Sequence, residues 1–161
     1  MKPLLCFGTR PEAIKMAPIS KELNRLGIDF KICITAQHRE MLDQVMDFFE
    51  MTADYDLDLM KPNQSLNELS SLILSKIDEV LEKEVPDIVL VQGDTTTAVI
   101  IALAAFHRGI KVGHVEAGLR TFNKLAPFPE EVNRQIISKI ADVHFAPTSQ
   151  SFANLLKEQI S

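Results

Sequence analysis

Five side chains far apart in this chain have the types that hold a phosphate and move a proton: Arg10, Asp94, Glu116, Glu130 and Arg134. Each lies near the end of a short apolar run or the start of a helical pattern. Gly8-Thr9-Arg10-Pro11-Glu12 follows Leu4–Phe7, and Gln92-Gly93-Asp94-Thr95-Thr96-Thr97 follows Ile88–Val91. Lys111–Val115 runs into Glu116-Ala117-Gly118-Leu119-Arg120, and Pro127-Phe128-Pro129-Glu130-Glu131 precedes Asn133 and Arg134. A glycine turn feeding a helix N-terminus attracts anions, and a guanidinium matches phosphate oxygens with two parallel N–H groups. Carboxylates on the same rim can take and return a proton. Plainer roles compete locally: Arg10 pairing with Glu12, Asp94 capping the next helix, Glu116 pairing with Arg120, and Glu130 with Arg134 at i, i+4.

The elements that must position these groups are legible as alternating patterns. Leu4–Phe7, Phe30–Ile34, Ile88–Val91, Lys111–Val115 and Val143–Ala146 read as strands, with Tyr55–Met60 as a short edge strand. A helix opens at Pro11 and stops at Gly27, and Pro18 is expected to kink or split it. Arg39–Phe49 carries Leu42, Val45, Met46 and Phe49 at helical spacing, with Met41 and Phe48 widening the face. Ser65-Leu66-Asn67-Glu68 fits a capping box, and the helix it opens carries Leu66, Leu69, Ile73, Ile77, Val80 and Leu81 on one side. Thr95–His107 is an apolar helix. Pro129 opens another, with Val132, Ile136, Ile137 and Ile140 expected inward, and Thr148 caps a last one bearing Phe152, Leu155, Leu156 and Ile160. Strands alternating with helices predict an α/β fold, a parallel sheet with helices on both faces. Ligands of such sheets bind beyond the carboxyl ends of the strands, where the strand order reverses, here between the first strand and Ile88–Val91.

Composition narrows the function. The 161 residues suggest one domain, with 46% hydrophobic and 24% charged residues. A net charge of −5 argues against a nucleic-acid binder. The longest apolar run, Ala98–Phe106, is nine residues, against about 20 for a membrane span. The N-terminus lacks a signal-peptide core, and Cys6 and Cys33 fall in strand-like runs, so reduced thiols and a cytoplasmic location are expected. No Cys/His spacing suggests zinc, and no dinucleotide or Walker loop occurs, which argues against a dinucleotide cofactor and a nucleoside triphosphatase.

Taken in order, Gly8-Thr9-Arg10-Pro11-Glu12-Ala13-Ile14-Lys15-Met16-Ala17-Pro18, Gln37-His38-Arg39-Glu40-Met41-Leu42-Asp43-Gln44, Gly93-Asp94-Thr95-Thr96-Thr97, Gly113-His114-Val115-Glu116-Ala117-Gly118-Leu119-Arg120-Thr121 and the Pro127–Arg134 block resemble the non-hydrolysing bacterial UDP-N-acetylglucosamine 2-epimerases along the whole chain. That resemblance implies the N-terminal half of a glycosyltransferase-B-type fold of two Rossmann-like domains. Residues 1–161 would be the first domain; the UDP-binding C-terminal domain is absent from this chain, which alone is expected to be inactive. It implies elimination of UDP to 2-acetamidoglucal and re-addition with C2 inverted, giving UDP-N-acetylmannosamine without a cofactor. Asp94, Glu116 and Glu130 become the candidate acids and bases, and Arg10, Lys15, Thr95, Arg120 and Arg134 the candidate substrate-binding residues. Gln37, His38 and Arg39 become the site of a second, activating UDP-N-acetylglucosamine. A homodimer is implied too, with Leu72 and Leu74 as contact candidates. The alternatives are a non-catalytic sugar-nucleotide-binding module, half of a split glycosyltransferase, and a hydrolysing relative.

Overall fold

Apolar runs and amphipathic segments settle into alternating strands and helices. The computed structural model describes residues 1–36, 39–61 and 63–160. Its strands are β1 (Pro3–Phe7), β2 (Lys31–Ile34), β3 (Tyr55–Asp56), β4 (Ile88–Gln92), β5 (Lys111–Val115) and β6 (Val143–Phe145). Its helices are α1 (Arg10–Arg25), α2 (Arg39–Phe48), α3 (Leu66–Glu84), α4 (Thr96–His107), α5 (Glu130–Ile140) and α6 (Ser149–Lys157). The strands pair in parallel in the order β3-β2-β1-β4-β5-β6. β1 and β4 are therefore neighbours where the order reverses, as the alternation predicts.

The sheet divides two cores. Leu4, Cys6, Val89, Val91 and Val112 join Ile73, Ile77 and Leu81 of α3, Ile101 and Ala102 of α4 and Ile137 of α5. Leu5, Phe7, Ile32 and Ile34 join Ala13, Met16 and Ala17 of α1 and Leu42 and Met46 of α2. Strands covered on both faces must be apolar throughout, which is why the runs lack polar alternation. Each fully buried Ile or Leu contributes about 1.5–3 kcal/mol. α4 has apolar residues all round because it lies between α3 and α5 as well as against the sheet. Cys6 and Cys33 sit side by side on β1 and β2 as free, buried thiols.

The helix starts follow local chemistry. Thr9–Glu12 and Ser65–Glu68 both form complete capping boxes, and Thr148 accepts from the Ser151 N–H. Several expectations need correction, the first being Leu66, which is 44% exposed at the start of α3. α1 runs unbroken through Pro18; Pro18 and Ile14 lie on the exposed side, where water can satisfy the carbonyl left without a donor. β3 keeps only two residues, since just Cys33 and Ile34 are opposite it. Met41 and Phe48 are exposed rather than covered. On α5, Val132 and Ile136 point outward while Glu131, Asn133, Arg134 and Ser138 are buried beside Ile137. The inward face of α5 is taken by polar groups that bind the loops beyond β4 and β5. On α6, Leu155 is buried, but Phe152 and Leu156 are exposed.

Candidate active site

The loops after β1, β4 and β5 open at the same end of the sheet. A cleft of about 590 Å³ lies there, lined by Thr9, Pro11, Glu12, Met60, Gln64, Asp94, Thr95, Pro129 and Glu130 among others. A cavity of about 460 Å³ lies at the opposite end, before β2 and β3, and none of the predicted site residues lines it.

The turn after β1 fills its own anion site. Glu12 Oε2 accepts from the Gly8 and Thr9 N–H groups at 2.9 and 2.7 Å, while Oε1 accepts the Thr95 hydroxyl at 2.7 Å. Glu12 is only 2% exposed, and burial pushes its carboxyl up against the opposing pull of these hydrogen bonds. In place of the competing Arg10–Glu12 pair, Glu12 takes backbone and hydroxyl donors. Arg10 remains exposed on the rim, beside a groove it lines with Ile14, Gln44, Val45, Phe48 and Phe49.

The turn after β4 presents Asp94. Gly93, at φ +69°, donates its N–H to the Val115 carbonyl at 2.9 Å and accepts from His114 Nε2 at 2.7 Å. A carbonyl can only accept, so His114 carries its proton on Nε2; burial pushes its pKa down to about 4, and the ring is neutral near pH 7. Thr95, not Asp94, caps α4, because the Thr95 hydroxyl accepts from the Ala98 N–H at 3.0 Å. That leaves the Asp94 carboxylate free to meet Arg134 at 2.9 Å, while its carbonyl accepts from the Asn133 amide at 2.9 Å. Burial pushes the Asp94 carboxyl up; Arg134 opposes this, Glu130 and Glu116 add to it, and Lys15 opposes it. Glu116 and Glu130 therefore both lie close enough to act on Asp94.

The end of β5 presents Glu116 at φ +66°, a left-handed conformation that costs a non-glycine residue about 1–2 kcal/mol. Its Oε2 accepts from both the Lys15 ammonium and the Gln92 amide. Arg120, its partner in the plainer of the two readings, turns its fully buried side chain to Glu158 at 2.7 Å and Ser138 at 2.9 Å instead. Arg120 is thereby held under α6 and not on the cleft. Arg134 likewise spends its guanidinium on Asp94 and Glu131 and meets only the backbone carbonyl of Glu130.

Among the other expected site residues, Arg39 pairs with Asp56 and Asp58 beside β3. Gln37 and His38 lie outside the described residues. Leu72 is half-buried against the core and Leu74 is 38% exposed. Among the described residues, no three His, Cys, Asp or Glu side chains gather as metal ligands, and no helix is long and apolar enough to cross a membrane. Glu12, Gln92, Glu131 and Asn133 had no assigned role from sequence. The Thr9-x-x-Glu12 spacing did carry a signal for Glu12, through the capping box. Nothing local marked the other three, whose partners lie on different elements.

The family model described as UDP-N-acetylglucosamine 2-epimerase matches residues 21–161. A UDP-N-acetylglucosamine 2-epimerase of Neisseria meningitidis is 59% identical over 161 residues, covering 99% of this chain and 43% of that protein. A crystal structure of UDP-GlcNAc 2-epimerase from Neisseria meningitidis bound to UDP-GlcNAc superposes with a TM-score of 0.96, covering 100% of this chain and 44% of the other at 59% identity. A Methanocaldococcus jannaschii UDP-GlcNAc 2-epimerase in complex with UDP-GlcNAc and UDP superposes with a TM-score of 0.94 at 39% identity, over 100% and 44% of the two chains. A Streptomyces glycosyltransferase, 14% identical with a TM-score of 0.57, shares the fold alone. The chain spans less than half the length of the relatives it matches, and it belongs to the UDP-N-acetylglucosamine 2-epimerase family.

Proposed function

We propose that this domain supplies one wall of the active site of a non-hydrolysing UDP-N-acetylglucosamine 2-epimerase. The carrying observation is that Asp94, paired with Arg134, and Glu116, paired with Lys15, stand beyond the carboxyl ends of β4 and β5, with Glu130 lining the same cleft as Asp94. One carboxylate takes the C2 proton. The C–H electrons become a C1–C2 double bond, and UDP leaves C1 with the bonding pair. UDP oxygen then re-forms the bond to C1, while a carboxyl returns a proton to the opposite face of C2. The leaving diphosphate gathers negative charge, which Arg10, Lys15 and the Thr95 turn stabilise; one well-placed donor is worth about 3–4 kcal/mol in such a step.

Elimination and re-addition leave the carbon skeleton at its starting oxidation level, so neither step consumes an oxidant or a reductant. Gln37, His38 and Arg39 take part in holding a second sugar nucleotide as activator. The complete enzyme needs a second, UDP-gripping domain, works as a homodimer in the cytoplasm, and the 161-residue chain alone does not turn over.

The test is solvent exchange. In D2O, the complete enzyme is expected to place deuterium at C2 of its sugar nucleotide, read by mass spectrometry. Epimerised product lacking that deuterium would exclude proton transfer at C2, and release of free N-acetylmannosamine would mark a hydrolysing enzyme instead.

A further inference from the structure

Glu131 stands beside Glu130 in the first turn of α5, yet the two adjacent glutamates have different surroundings. Glu130 lines the cleft, while Glu131 is 0% exposed. A buried carboxylate needs partners on both oxygens, and Glu131 has them. Its Oε2 accepts from the Thr121 N–H at 3.0 Å, and its Oε1 accepts from the Phe122 N–H at 3.1 Å and the Gln135 amide at 2.8 Å. The Arg134 guanidinium lies 3.6 Å from Oε2 and, through its other terminal nitrogen, 2.9 Å from the Asp94 carboxylate. One guanidinium thus bridges a carboxylate sealed inside the domain and a carboxylate at the reacting end.

We infer that Glu131 is a positioning residue for Asp94: it anchors the Arg134 guanidinium from behind, so that its outer nitrogen is held against the Asp94 oxygen. Asp94 is fixed from α5 twice, since Asn133 holds its carbonyl and Arg134 its carboxylate. The same Glu131 pins residues 121 and 122, the continuation of the loop that leaves Glu116. Glu131 therefore sets the distance between two of the three candidate acids without touching substrate. A glutamine there keeps the size but presents an N–H toward a backbone N–H or the guanidinium, so the clamp cannot close on both sides.

The inference rests on the proposed epimerisation with Asp94 at the sugar, and a mutant cycle separates the two. In the complete enzyme, E131Q is expected to lower kcat by about tenfold with KM little changed, a coupling ordinary for groups in one ion-pair network. In a D94N background, the further loss from E131Q is expected to vanish, because the residue acts through Asp94. An equal fold-loss in both backgrounds would make Glu131 merely structural, as would an unchanged kcat for E131Q. If E131Q does not fold, E131D replaces it in the same cycle with the same two readings. Failure of the parent enzyme to exchange deuterium at C2 overturns the proposed reaction, not the clamp. The clamp itself is then read by NMR, where loss of the downfield Thr121 and Phe122 amide positions in E131Q is expected and their retention overturns it.

Discussion

The Lys15 ammonium donates to the Glu116 carboxylate across a sequence separation of 101 positions, joining the second turn of α1 to the end of β5. Both side chains are partly open to solvent, so the contact is of little value as a surface ion pair. Its significance is placement: a cation suited to a diphosphate touches a carboxylate suited to the C2 proton.

Replacing that carboxylate is the direct test of its chemistry. E116Q in the complete enzyme is expected to cut turnover by at least about a hundredfold, the lower end of general-base effects. Circular dichroism would verify the fold. A folded variant turning over at the parent rate would leave Glu116 with only its contacts to Lys15 and Gln92.

Glu12 ties the turn after β1 to the start of α4. E12A leaves the Gly8 and Thr9 N–H groups and the Thr95 hydroxyl without their acceptor, and is expected to cost about 2–4 kcal/mol in urea unfolding. The pH response has a defined sign. Burial raises the folded-state pKa, so the folded chain binds this proton more tightly than the unfolded chain. Stability from Glu12 therefore falls as pH rises through the interval between the two values, and E12Q is expected to abolish that component. A variant with an unchanged pH slope would show that Glu12 does not titrate differently in the two states.

His114 works in the opposite direction. Burial depresses its pKa from 6.5 to about 4, so between those values the unfolded chain binds the extra proton. Stability contributed by neutral His114 is complete above about pH 6.5 and is lost as pH falls toward 4. At 1.36 kcal/mol per pKa unit the loss is about 3 kcal/mol. H114Q is expected to flatten this part of the curve, and the parent's His114 ring resonances should not titrate between pH 7 and 5. A midpoint near 6.5 by NMR would overturn the assignment.

Gly118 tests how tightly the loop after β5 is packed on α6. Its φ is +90°, and an added Cβ would lie 2.2 Å from the Ser151 carbonyl oxygen, a backbone atom that cannot swing aside. G118A is expected to destabilise the domain by at least about 3 kcal/mol, by strain and by displacing α6. Thermal unfolding of the parent and variant reads it, and a change below about 1 kcal/mol would mean that α6 moves freely.

What sequence alone determined was everything governed by near neighbours. The strand runs, the capping box at Ser65, the cap at Thr148 and the reversal between β1 and β4 all follow from local pattern, because secondary structure and parallel crossovers obey short-range rules. The site's location was legible for the same reason, since its loops are the ones that follow the strands. Tertiary structure decided which side chains meet. Local rules offered Glu116 with Arg120, Glu130 with Arg134 and Arg10 with Glu12 as the plainer alternatives, yet Glu116 took Lys15 and Gln92, Arg134 took Asp94 and Glu131, and Glu12 took Thr95. A buried charge accepts whichever donors the packed elements bring within about 3 Å, and that distance is fixed by helices docking on a sheet, not by spacing along the chain. The outward turn of Val132 and Ile136 has the same origin: α5 rotates to satisfy the buried polar groups of the site, whose unmet hydrogen bonds would cost more than exposing two apolar side chains.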